Sequence, residues 1–379
     1  MLSDRVLLDG TVRTRTPEDT WASLAPALPH YGITRVASLT GLDYLGLPVH
    51  TAIRPPSQTL VASQGKGATA LLAKISAVME SIELWHAEQP RTPALCVPAH
   101  DVALSYPLAA LPMKPTWHQA LEQVPLEWTM GTGVNSGATI PVPLGLLCRS
   151  AHRDLWQPDI FRATSTGLAC GNTRDEAMLH GLYEVIERDA LFADDASGGA
   201  RRTLVDPQSV EDPYCRLLVD RLISAGALLE LAVVDNTYGI PTCLTYLWTE
   251  DYPLHFAGSG CHTDPHIALA RAITEAAQSR LTCIAGTRDD LLSREDVFDA
   301  LPSRPPATDN LHPWDALTGG YAPWRGSFAD QVATVAEQIE QVTRHEPVCL
   351  DLSAPSEPLA AVKVICPGTR SRIRRSIPR

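Results

Sequence analysis

The chain has 379 residues, 45% of them apolar and 20% charged, with 43 acidic against 31 basic side chains and a net charge of −12. That composition suits a globular protein with a large core, and the negative balance argues against a broad nucleic-acid footprint. No run approaches the ~18 apolar residues of a membrane helix.

In chain order, Met1–Gly10 alternates charges and lacks the apolar run of a signal peptide, which with the cysteine pattern below fits a reducing cytoplasm. Thr34–Thr40 reads as a strand, Gly41–Gly46 as a turn, Leu47-Pro48 as the opening of a second strand, and Gln58–Ser63 as a third. Gly65-Lys66-Gly67 then precedes a helix with Thr69 as its cap. Pro90–Pro115 is proline-rich and reads as a surface excursion with short elements. Glu127–Thr132, the turn Asn135-Ser136-Gly137 and Ile140-Pro141 form a second strand–turn–strand.

Thr173-x-x-Glu176 has the spacing of a capping box and opens a second helix. Val210–Ala225 is an amphipathic helix. Leu229–Asp235, Asn236–Gly239, Ile240-Pro241 with Thr242–Trp248, and Leu254–Gly258 repeat the strand pattern. Thr263-Asp264-Pro265 then caps a third helix. Leu291–Trp324 reads as an ordered loop or a lid, Asp330–Arg344 as a helix, and Val348–Leu352 and Leu359–Ile365 as strands. From Thr369 the sequence turns abruptly basic and is expected to be disordered.

One spacing occurs on all three capped helices: Ala73, Ala77, Glu80, Glu83; Ala177, Gly181, Glu184, Glu187; and Ala268, Ala272, Glu275, Gln278. Steps of four and three keep these residues on one helix face, so each helix has a small strip for close packing followed by two oxygen ligands. A single Glu pair at i, i+3 is usually a solvated face. Three matched copies among apolar neighbours point instead to a shared buried site, where carboxylates need cations or donors. Carboxylate and amide oxygens select Mg²⁺ or Ca²⁺ over zinc, and Mg²⁺ recruits phosphate to complete its shell.

Arg188 reads as a phosphate contact or a structural ion pair, and Lys66, within Ser63–Gly67, as a phosphate contact or a plain loop lysine; that loop is not a Walker A sequence. Asn172 and Glu176 read as nucleotide contacts, as cap and capping-box partner, or both. Nucleophile readings are poor. The nine cysteines form no C-x-x-C pair, Cys170 and Cys261 read as packing residues, and His262 and His266 as surface histidines.

Ser63–Gly67, Ser76-x-x-x-Glu80-x-x-Glu83, Asn172-x-x-x-Glu176, Glu184-x-x-Glu187-Arg188 and Glu275-x-x-Gln278 resemble the YcaO family, from about Gly32 to Pro367. The resemblance implies an α/β (α+β) YcaO-like fold: an N-terminal arm at 1–30, a catalytic domain at 31–367 and a basic tail at 368–379. Three related strand-turn-strand-helix units would bring their helices to one nucleotide site. It also implies an enzyme using ATP and Mg²⁺ on peptide backbone amides: the amide oxygen is phosphorylated and a nucleophile displaces phosphate. A Cys, Ser or Thr side chain gives an azoline, an amine an amidine, and sulfide a thioamide. Glu80, Glu83, Glu184 and Glu187 would bind metal; Lys66, Ser76, Asn172, Glu176, Glu184, Glu275 and Gln278 would contact nucleotide; Glu187 and Arg188 would be catalytic.

Gly10-Thr11-x-Arg13, Gly41-Leu42-Asp43 and Gln64-Gly65-Lys66-Gly67 look like the members that work beside a TfuA-like partner, a pairing associated with thioamides in peptide natural-product (RiPP) biosynthesis. The end, Arg375–Arg379, lacks the PxPxP run common in azoline-forming relatives, which counts modestly against cyclodehydration. The expected partners are a peptide substrate, a TfuA-like protein and sulfide or another sulfur donor, without nucleic acid or membrane; a homodimer is compatible. The rivals are an azoline-forming cyclodehydratase and a non-catalytic nucleotide- or peptide-binding scaffold.

Overall fold

The computed structural model describes residues 5–114, 123–147, 160–288, 305, 309–321 and 324–371. Much of the expected loop or lid at Leu291–Trp324, and the basic tail from 372 onward, lie outside the described residues. No helix among the described residues is long and apolar enough to cross a membrane.

The chain opens with a hairpin, β1 (Val6–Leu8) and β2 (Thr11–Arg13), whose turn needs Gly10 at φ +67°, and continues into α1 (Pro17–Leu24). The first unit is an antiparallel meander of β3 (Arg35–Ser38), β4 (Val49–Ile53) and β5 (Ala62–Lys66), followed by α2 (Ala70–Glu88). Lys66 pairs with Val49 in the ladder, so it belongs to a strand and not, as the sequence suggested, to a loop beyond one ending at Ser63. Thr69 caps α2 by accepting from Leu72 N, as its position predicts.

The proline-rich excursion contains β6 (Leu95–Pro98) and short 3-10 turns. β6 pairs with β7 (Pro125–Gly133), which forms the expected hairpin with β8 (Thr139–Pro143). The next unit in sequence is β9 (Leu168–Gly171) and α3 (Arg174–Ala196). Then come β10 (Arg202–Val205), α4 (Pro213–Ser224), β11 (Leu228–Val234), β12 (Thr242–Trp248), β13 (Phe256–Cys261) and α5 (Pro265–Ala285). The chain closes with α6 (Trp314–Thr318), α7 (Phe328–Thr343), β14 (Val348–Asp351) and β15 (Ala360–Ile365).

The middle unit is assembled out of sequence order. β7 and β8 were expected to lead into α3, but α3 packs on other strands. β9 pairs with β15 and β15 with β14, so β14–β15–β9–α3 is the counterpart of β3–β4–β5–α2 and β11–β12–β13–α5. The apolar face that α3 needs comes from Val362 and Val364 of β15, which share a buried cluster with Ala177, Leu182, Val185 and Ile186. On the other side of that cluster, α7 contributes Val332, Val335 and Ile339 at helical spacing. Each such side chain contributes roughly 1.5–3 kcal/mol on burial.

The small-residue strips lie directly on the strands that precede each helix. A Cβ added to Gly65 of β5 would stand 1.9 Å from Ala77 N, on Gly171 of β9 2.5 Å from Ala177 N, and on Gly258 of β13 2.2 Å from Ala276 N. Glycine in the strand and alanine on the helix together allow backbone-to-backbone approach. These strand glycines therefore serve helix packing.

Candidate functional site

The acidic faces of α2, α3 and α5 meet at a cleft of about 340 Å³, a volume suited to a nucleotide-sized ligand. Its walls include every residue to which the sequence assigned a metal, nucleotide or catalytic role: Lys66, Ser76, Glu80, Glu83, Asn172, Glu176, Glu184, Glu187, Arg188, Glu275 and Gln278.

A cyclic pattern holds the three units together. Lys66 Nζ of β5 donates to Glu275 Oε2 of α5 at 2.5 Å. Cys170 N of β9 donates to Glu83 Oε1 of α2 at 2.8 Å. Ser259 Oγ of β13 donates to Glu187 Oε1 of α3 at 2.6 Å. The last strand of each unit thus grips the acidic helix of another, which closes the ring. Gly167 N adds a bond to Glu184 Oε2 at 3.0 Å, and Arg188 lies 3.5 Å from Glu184 Oε1.

The carboxylates differ in how well the protein satisfies them. Glu88, at the end of α2, is fully paired: Arg54 holds it at 2.7 and 2.8 Å, Thr59 and Ser57 add bonds, and these donors outweigh burial to lower its pKa. Glu80, two turns earlier, has no hydrogen-bond or ion-pair partner among the described residues and faces the cleft. Burial raises its pKa despite Arg288 and Arg188, and burial with the neighbouring Glu80 raises Glu83 well above the usual range. Glu184 is pushed up to about 7 by burial and by Glu187 and Glu80, against the pull of Arg188. Glu275 goes the other way, lowered by Lys66 and Arg188 against burial. Glu80, Glu83 and Glu184, raised by burial and by acidic neighbours, therefore form a part of the cleft that fits a bound cation.

Basic groups line the same cleft: Arg13 and Arg15 from the N-terminal hairpin and its extension, Arg271 of α5, and Lys66. Burial, then Arg271, Arg13 and Lys66, holds His180 neutral, well below its usual pKa. A cleft lined by both carboxylates and cations suits a metal-bound polyphosphate. The Gln278 side chain, which makes no hydrogen bond among the described residues, also remains available to a ligand.

Glu176 is not a capping-box partner. Thr173 accepts from Glu176 N as expected, but the Glu176 carboxylate turns to the N-terminal arm. It accepts from Thr14 N and Oγ1 at 2.8 and 2.7 Å, with Arg13 at 3.8 Å. Asn172 also binds the arm, accepting from Thr20 Oγ1 at 2.9 Å. Cys170 and Cys261 are buried thiols with pKa values driven up by burial, as befits packing residues. The surface placement of the histidines does not hold. His262 is buried between Tyr183 and Trp324, its pKa lowered to about 3 by burial and Arg271, and His266 is partly buried against Trp314.

His180 and Arg271 were not singled out from the sequence. The signal lay one turn earlier on the same faces: Ser76, His180 and Arg271 each precede the first oxygen ligand of their helix's matched pair, Glu80, Glu184 and Glu275, by four.

A family model described as YcaO cyclodehydratase, ATP- and Mg²⁺-binding, matches residues 64–370. A protein of Mycobacterium tuberculosis is 36% identical over 375 residues, covering 95% of this chain and 82% of its own length. A Rhizobium leguminosarum bv. trifolii protein named for its place in the tfuA 3′ region is 34% identical over 376 residues, covering 94% of this chain and 88% of its own. Among solved structures, a heterocyclase in complex with substrate and cofactor superposes with a TM-score of 0.74 at 23% identity; the match covers 95% of this chain and 53% of the heterocyclase, so the chain spans about half of that protein. A YcaO protein from Methanopyrus kandleri, bound with AMPPCP and Mg²⁺, gives 0.71 at 20% identity with 99% of both chains covered. At these identities the structural likeness is one of fold.

Proposed function

Because the chain belongs to the YcaO family, we propose that it is an ATP- and Mg²⁺-dependent enzyme that activates a backbone amide of a peptide, and that its product is a thioamide made with a TfuA-like, sulfur-delivering partner. The observation that carries the first part is the set Glu80, Glu83 and Glu184, all raised by burial and by acidic neighbours, in one cleft with Arg13, Arg15 and Arg271.

In this reading Glu80, Glu83, Glu184 and Glu187 hold Mg²⁺. Lys66, Ser76, Asn172, Glu176, Glu184, Glu275 and Gln278 hold the nucleotide, with Glu176 and Asn172 also anchoring the arm that covers it. When bound, Mg²⁺–ATP supplies the phosphoryl group that makes the amide oxygen a leaving group, with the metal neutralising its charge. Glu187, fixed by Ser259, and Arg188, its cationic character strengthened by Glu184 and Glu187 against burial, would orient the reacting groups in this reading. Cys170 stays a protonated thiol, so no protein nucleophile is invoked.

The thioamide branch is favoured by the relative in the tfuA 3′ region. The azoline reading draws on the family description and the heterocyclase fold match. Intact mass of candidate peptides after co-expression separates them: sulfur for oxygen adds about 16 Da, whereas loss of water subtracts about 18 Da, as follows from each nucleophile's bookkeeping. Calorimetry with Mg²⁺–ATP tests the site itself. The parent is expected to bind and Glu187→Ala to bind much less tightly; no binding in the parent, or equal binding in the variant, refutes the assignment.

A further inference from the structure

Strand alternation and burial call for an apolar side chain at the fourth position of β15, Ala360-Ala-Val-Lys-Val-Ile365. Lys363 stands there, 6% exposed, in a strand paired on both sides through Leu350 and Leu168. A buried ammonium is costly, and such breaks in local patterning concentrate where function demands them. Its Nζ donates to the carbonyl oxygens of Thr164 and Thr166 at 2.6 and 2.8 Å. Next to it, Val364 N donates to the Gly167 carbonyl at 2.7 Å. Gly167 has φ +77°, and a Cβ there would meet the Val364 oxygen at 2.1 Å. Three hydrogen bonds therefore clamp the turn at 164–167 onto β15.

The other side of this turn faces the cleft. Ser165 lines it, and Gly167 N–H donates to Glu184 Oε2 at 3.0 Å. We infer that Lys363 is a positioning residue for the metal end of the cleft: it fixes the 164–167 turn, and the turn's amide aims the Glu184 carboxylate. The inference rests on the reading of Glu184 as a metal ligand. A group that orients a metal ligand from behind typically changes metal affinity about 10- to 100-fold when removed.

The test is Mn²⁺ binding in the presence of AMPPCP, followed by electron paramagnetic resonance, in Lys363→Met and Lys363→Arg. Lys363→Met is expected to bind Mn²⁺ about 10- to 100-fold more weakly, with metal-free AMPPCP affinity unchanged. Lys363→Arg, which can still donate to both carbonyls, is expected to recover most of the affinity. Parental Mn²⁺ affinity in folded Lys363→Met overturns the inference. If Lys363→Met does not fold, Lys363→Gln, which keeps a donor but is shorter, carries the test on the same terms. Glu184→Gln in the same assay tests the underlying reading: parental Mn²⁺ affinity there means that Glu184 is not a ligand. The clamp has its own readout, amide hydrogen exchange at 164–168. Faster exchange is expected in Lys363→Met with or without metal, and unchanged exchange overturns it.

Discussion

Gly65→Ala tests whether the fit of α2 on β5 sets the position of the carboxylates. The new Cβ would stand 1.9 Å from Ala77 N, 2.5 Å from the Ser76 carbonyl carbon and 2.6 Å from the Ala73 oxygen, all backbone atoms. Ordinary contact begins near 3.4 Å. The helix must therefore withdraw by about 1.5 Å, because a close-packed interior offers no flexible group to yield instead. Overpacking of this kind costs about 1–3 kcal/mol, a fall in Tm of roughly 1–4 °C for a chain of this length. Glu80 lies within one turn of Ala77 on the same helix, so its carboxylate travels with the backbone. A displacement near 1 Å at a reacting centre costs on the order of 100-fold in rate. Thermal melting and Mg²⁺-dependent ATP turnover are the assays, with Gly41→Ala as control, since a Cβ there has nothing within 4 Å. The control should stay within about 0.5 kcal/mol of the parent. A Gly65→Ala protein that melts and turns over like the parent would refute the reasoning.

Two further predictions follow from the ionisable groups. Glu184 is raised to about 7, so it holds its proton more tightly folded than unfolded; its contribution to stability is complete below the ordinary value of 4.5 and is lost as pH climbs through 7. The metal-free protein should lose that contribution across the same interval over which Mg²⁺ affinity rises, and calorimetry in buffers of different ionisation heat should detect proton release at about pH 6 that fades by about pH 8. Proton-silent binding at the lower pH contradicts this. Separately, Arg54→Met strands the Glu88 carboxylate, which is 4% exposed, and should cost about 3–5 kcal/mol in urea unfolding. Arg54→Met with Glu88→Leu should regain most of that loss, and a double variant no more stable than the single one would count against the account.

The acidic faces were legible because helix geometry is local: a period of three and four is enough to put Glu80 with Glu83 and Glu184 with Glu187. Caps at Thr69, Thr173 and Asp264 were legible for the same reason. Pairing between distant segments was not. Nothing near Leu168 in sequence indicates that its ladder partner is Lys363, and the nearer hairpin of β7 and β8 offered a plausible substitute. Lys66 was assigned to a loop because its glycine neighbours carry turn propensity, whereas in the fold those glycines admit a helix. The role of Glu176 was obscured in the same way: its spacing from Thr173 satisfies a local rule, but Thr14 and Arg13, brought in by the tertiary fold, take the carboxylate.

The late placement of β14 and β15 bears on how the protein is made. A ribosome can finish α2 and α3 long before it reaches β15, and until then β9 has no ladder partner among the described strands. The amides of Gly167 and Cys170, which hold Glu184 and Glu83, are not fixed in place during that time. Each acidic pair forms with its own helix, but the pair on α2 and the pair on α3 are held in one site only when this distant pairing closes the sheet. Translation order thereby postpones the electrostatic cost of joining the two pairs until the scaffold that can bear it exists.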